Sequence, residues 1–234
     1  MPAGNSKADN AFNRAEQWLS QRADEHLPTL DLADRSSDAL GRVLQAFNLP
    51  KRTPEQRDDE WRQTLAVINL GINAARSLRS MMVLLRHGYE PEAIALQRRL
   101  IEAQARILRV IDPVSGPDHA RQFLKGEDGT AGKAVSALPK DLWKGLNNAA
   151  HADYRAIEQH LLSTDEEGST RFYLVPRRRE TASNMLLVLG AGHVLSAAAE
   201  IGKFKAIALD PLMDVLPDFY SATERWLTPP ETDT

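Results

Sequence analysis

The sequence predicts an all-α protein, an antiparallel helical bundle with an N-terminal helical extension. Three observations predict it. Apolar residues recur at steps of three and four along most of the 234 residues, while strand-like alternation is nearly absent. One continuous seam, Trp61, Leu65, Ile68, Ile72, Ala75, Leu78, Met82 and Leu85, steps by 4, 3, 4, 3, 3, 4 and 3. Proline and glycine then bound the periodic stretches, at 48–54, 87–91 and 112–113.

Taken in order, a first helix fits 8–25 and a second fits 37–47, with Ser36 or Ser37 as its N-cap. Residues 1–50 form the extension. The bundle covers 54–209. Thr53 is a good N-cap, Pro54 suits a first helical position, and acids follow, so the third helix starts there. It carries the seam and ends at His87-Gly88, with Gly88 as a left-handed cap. Pro91 opens a fourth helix over 91–112, and Asp112-Pro113 stops it. The short connection makes the third and fourth helices antiparallel neighbours. A short helix fits 117–125, and a Gly-rich acidic loop fits 126–132. Helical pattern returns over 141–162, a polar loop follows at 163–169, and 171–175 is the one strand-like run. The last long helix covers 181–209. Residues 210–234 hold a short helix at 217–227 and a frayed tail.

Composition narrows the chemistry. With no cysteine, disulfides, thiolate metal sites and cysteine nucleophiles are excluded. The net charge of −3 is too small for a nucleic-acid coat. No phosphate-binding glycine loop, serine-hydrolase elbow or zinc-protease motif is present. No metal or cofactor is expected. The N-terminus lacks a signal-peptide pattern, and 185–199 is shorter than a bilayer span, so the expectation is a cytoplasmic protein that does not enter the membrane. Residues 61–130 carry ten basic and seven acidic side chains, which makes the middle of the chain the place for an anionic partner.

Four groups of residues invite a functional reading. Arg98, Arg99 and Glu102 lie on the fourth helix, where Glu102 can reach Arg98, Arg99 and Arg106 in a structural ion-pair network. The alternative is a charged group facing the bundle interior, which needs full satisfaction there. Arg177, Arg178 and Arg179 precede the last long helix. Three cations at a helix N-terminus oppose its dipole, and a phosphate or RNA backbone would relieve them; a solvated loop fits equally. His193, Ser196, Glu200 and Lys203 step by 3, 4 and 3, as on a solvent-facing stripe. His151 fits a helix-ending residue bonded to a backbone carbonyl. Trp61, Trp143 and the Met81-Met82 pair read as core residues.

Residues 75–205 resemble a group of bacterial helical proteins related to the HEPN class (higher eukaryote and prokaryote nucleotide-binding domains). Three stretches carry the likeness. Glu92-Ala-Ile-Ala-Leu-Gln-Arg-Arg-Leu-Ile-Glu102 is similar to the Arg-x-x-Glu helix of that group. Leu142-Trp-Lys-Gly-Leu-Asn-Asn-Ala-Ala-His151 is similar to its helix ending in a small-residue turn and a histidine. A loop, a short extended run and a long apolar helix follow.

The resemblance implies a toxin–antitoxin or phage-defence setting. It also implies one of two activities. The first is a non-catalytic module that binds a protein partner, RNA or a nucleotide through a groove near Arg99, Glu102 and His151. The second is a metal-independent ribonuclease. Arg155-Ala-Ile-Glu-Gln-His160 fits the Arg-x4-His form of such enzymes, although Ala156 departs from the polar residue usual after the arginine. Arg155 would hold phosphate, and His160 would act as acid and base. Five residues turn a helix by roughly 140°. The two side chains would therefore meet only at a helix break or across a homodimer. An ordinary exposed helix face is the competing reading of the same pair.

Overall fold

A computed structural model describes residues 6–127, 162–164, 170–172 and 179–227. The helices are α1 (Ser6–Gln21), α2 (Ala23–His26), α3 (Leu30–Gln45), α4 (Asp59–Arg86), α5 (Glu90–Val110), α6 (Gly116–Lys125), α7 (Glu180–Lys205), α8 (Asp210–Met213) and α9 (Leu216–Leu227). The strands β1 (Leu162–Thr164) and β2 (Thr170–Phe172) pair antiparallel, with Leu162 opposite Phe172 and Thr164 opposite Thr170. The described chain is thus predominantly helical, as its periodicity predicts. β1 takes residues expected at the end of a helix and in a polar loop, while β2 overlaps the strand-like run expected at 171–175.

Local chemistry sets most boundaries. Gly88 ends α4 in the left-handed conformation, at φ 83°, and Gly126 ends α6 at φ 73°. Thr53 opens only a single 3-10 turn, Pro54–Gln56. Asp58 is the true cap of α4, accepting the Trp61 amide at 2.8 Å. That bond and Arg52 hold the Asp58 carboxyl below the usual carboxylate range. α3 starts earlier than expected, so Ser36 and Ser37 are buried within it rather than capping it. Ser36 donates to the Leu32 carbonyl at 2.7 Å, which satisfies its hydroxyl inside the helix.

The seam of α4 is rotated from the expected one. Leu78, Met82 and Leu85 are buried, but Ile72 is exposed and Leu65, Ile68 and Ala75 are half-buried. The upper core stripe is Ala66, Val67, Leu70, Gly71 and Ala74. Small residues win those positions because neighbours come close. A Cβ on Gly71 would lie 3.0 Å from Leu44, and one on Gly190 would lie 2.5 Å from the Met81 methyl.

Chain direction departs from a simple antiparallel bundle. Gln63, near the start of α4, bonds the Val110 carbonyl at the end of α5 at 2.9 Å, so these two run antiparallel. By contrast, Glu90 meets Arg179 and Gln104 meets His193, each pair 89 residues apart. A constant difference means that α5 and α7 run in the same direction. The long connection from 111 to 179 permits this, because it can return the chain to the starting end. α3 also runs with α7, from Thr29 beside Asn184 to Ala46 near Lys205.

α3, which lies in the expected N-terminal extension, is no appendage. α3 packs on both α7 and α4, and Leu27, Leu40 and Val43 belong to the common core. α7 has the length and apolarity of a membrane span. Leu187, Val188, Val194, Ala198 and Ile201 are instead fully buried against α3, α4, α5 and α9, and a position at the centre of the core accounts for its composition.

Candidate functional site: a guanidinium-lined cleft between α4 and α5

Two of the described site residues, Arg99 and Glu102, line one cavity of about 490 Å³. One wall is the outer stripe of α4, with Leu70, Asn73, Arg76, Ser77 and Ser80. The other is α5, with Leu96, Arg99, Glu102, Ala103 and Arg106, and Phe123 of α6 also lines it. Both sets step by 3, 3, 1 and 3, so that spacings of three and four recur and each set lies on one helical face. Arg99 and Glu102 thus line the same cavity. The α4 wall escaped the sequence reading. Its signal was present: Asn73, Arg76, Ser77 and Ser80 share one face, just across the Gly88 turn from Arg99.

The charges are unbalanced. Arg76, Arg99 and Arg106 face a single carboxylate, Glu102. Glu102 is already engaged, because Arg98 donates to it through Nε at 2.8 Å. Arg76 and Arg99 are exposed and form no ion pair among the described residues. Leu70, Leu96 and Ala103 supply an apolar floor between the polar rims. A cavity of this size, apolar below and carrying a few convergent cations, suits an anionic ligand.

Arg179 has another role than the expected one. Its Nε donates to Glu90 at 2.9 Å, its Nη2 joins the same carboxylate oxygen, and its backbone N–H reaches the second oxygen at 3.2 Å. The Glu90 side chain is 2% exposed. An ionised carboxylate is stable there only with such charged and hydrogen-bonded partners. Arg179 is therefore a structural clamp joining the starts of α5 and α7, and not a free cation for a ligand. His151, Arg155, His160, Arg177 and Arg178 lie outside the described residues, as does Trp143.

The stripe read as solvent-facing is also different. His193 is half-buried and bonds Gln104 of α5, while the Gln104 amide donates to Ser196 at 2.7 Å. With its amide nitrogen on Ser196, Gln104 presents its oxygen to His193 Nδ1, which must then be the donor. Toward the end of the stripe, Lys203 is exposed and donates to Glu200 at 2.8 Å. Burial pushes the His193 imidazole below its ordinary pKa of about 6.5. The unfolded chain therefore takes this proton first as pH falls. His193 contributes full stability above about pH 6.5 and progressively less below it. The urea midpoint of the wild type should fall more between pH 7 and pH 5.5 than that of His193→Gln. Equal falls would remove His193 as the source.

Among the described residues no group of three or more histidines and carboxylates has the arrangement of a metal site. No family model, curated protein or solved structure matches the chain.

Proposed function

We propose that this chain is a non-catalytic binding module that holds a phosphate-bearing ligand, RNA or a nucleotide, in the α4–α5 cleft. One observation carries the reading: Arg76 and Arg99 line the same cavity from opposite helices and have no counter-ion among the described residues. Guanidinium groups hold phosphate through paired, charge-assisted hydrogen bonds, and two of them converging from separate walls define a place for it. The resemblance to HEPN-type proteins supports the same reading, since its Arg-x-x-Glu helix supplies Arg99 and Glu102. With it come the expected bacterial defence or toxin–antitoxin setting, a homodimer and a cytoplasmic location.

The test is binding of a fluorescent oligoribonucleotide and of a nucleoside triphosphate, followed by anisotropy in EDTA. Arg76→Ala/Arg99→Ala should weaken binding about ten-fold or more, the loss of charge-assisted bonds worth roughly 1.5–3 kcal/mol each. Unchanged affinity would sink the cleft as the site. The RNA should stay intact throughout. Cleavage that disappears in His160→Ala would replace the binding module with the ribonuclease.

A further inference from the structure

We infer that the cleft recognises a phosphomonoester dianion, a terminal phosphate, rather than the singly charged phosphodiesters along a nucleic-acid backbone. This rests on the reading above and names the form of phosphate it takes.

The first argument is register. α4 and α5 are antiparallel about the turn at Gly88, and residues that face each other across the cleft have numbers summing to a constant. Gln63 bonds Val110 across the pair, a sum of 173, which sets Arg99 level with Ala74 and Leu96 level with Ser77. Arg76 is two residues from Ala74, an axial offset of roughly 3 Å. Arg76 and Arg99, which form no ion pair among the described residues, therefore start within one helical turn of each other on opposing walls, with Ser77 next to Arg76. Long guanidinium arms arriving from two sides over so short a span can reach a single phosphate group.

The second argument is charge. Arg76 and Arg99 bring two positive charges with no ion pair among the described residues, and the one carboxylate of the lining is held by Arg98. A phosphomonoester above its second ionisation, near pH 6, carries close to two negative charges. It neutralises both guanidiniums. A diester carries one charge and leaves one guanidinium without a counter-ion.

The third argument is room. At about 490 Å³ the cavity is the size of a small-molecule site. Leu70 lies six residues before Arg76 on α4, roughly 9 Å along the helix axis toward one end. A diester must send a substituent out on both sides of the phosphate. A monoester sends out only one, which can leave through the open face.

The test uses the full chain and two small probes, methyl phosphate and dimethyl phosphate, titrated by calorimetry from pH 5 to pH 7.5. A pair of oligoribonucleotides of one sequence, with and without a 5′-phosphate, completes it. At pH 7.5 methyl phosphate should bind about ten-fold tighter than dimethyl phosphate, and the preference should shrink toward pH 5 as the monoester takes up its proton. The 5′-phosphorylated strand should show the same advantage. Arg99→Gln and Arg76→Gln, both exposed and so compatible with folding, should each erase the preference. Equal binding of monoester and diester overturns the inference but leaves an anion-binding cleft standing. Binding of no probe and neither strand overturns both.

Discussion

Asn184→Ala is expected to lower the stability of the protein by about 2–3 kcal/mol, with a fall in melting temperature of several degrees. Asn184 is fully buried on α7 and its amide is fully used. The oxygen accepts the Thr29 hydroxyl at 2.7 Å and the Thr29 amide at 3.4 Å. The nitrogen donates to the carbonyls of His26 at 3.0 Å and Glu180 at 2.9 Å. Three of these bonds fasten the turn between α2 and α3 to the core helix, and the fourth, to Glu180, lies within α7. Truncation removes them together and strands the buried Thr29 hydroxyl and the part-buried His26 carbonyl. Each such orphan costs about 1–3 kcal/mol, less where a neighbour or water can reach it. Asn184→Asp should be no better, because its carboxylate cannot donate to the two carbonyls. Thermal unfolding of both variants is the check. A shift under 1 °C in either would show that the turn is held by apolar contacts alone.

Arg179→Ala should cost a similar amount, about 2–4 kcal/mol. Removing one partner of a buried pair leaves the other charge short of compensation, and here that charge is the 2% exposed Glu90. The Arg179 side chain is itself 46% exposed, which screens the interaction and keeps the loss toward the lower end of this range. Direction matters more than size. Glu90→Gln alone should cost less than Arg179→Ala, because an amide can still accept the bonds and Arg179 can turn to water. Adding Glu90→Gln to Arg179→Ala should then recover part of the loss. Urea midpoints across this double-mutant cycle decide the matter. A double variant less stable than Arg179→Ala would mean that the buried charge is not the source.

The two variants explain why the start of the chain and the start of α7 belong to one structure. Thr29 and Glu90 are 155 and 89 residues from their partners. No local pattern connects positions so far apart. Both bonds use residues that are unremarkable in sequence: an asparagine in an apolar helix and a glutamate in a first helical turn. The second is favourable at a helix N-terminus in any case.

What the sequence determined by itself is the helical class and most helix boundaries. Apolar spacing of three and four, the glycine at 88 and the prolines at 91 and 117 act within a turn or two of chain, and the structure follows them closely. It also placed Arg99 and Glu102 on a helix next to α4, because a short turn leaves two helices few other arrangements. The tertiary structure alone decided which face of α4 is inward. An amphipathic helix packed on several neighbours has more than one apolar stripe, and close approach at Gly71, and of Met81 and Leu78 to Gly190, selects the one that is buried. Packing likewise turned Arg179 from a candidate ligand cation into the partner of Glu90, and His193 from a surface residue into a link to Gln104. Side-chain chemistry states what each group can do. Its partner is set by burial and by which helices lie beside one another, and those are properties of the whole chain.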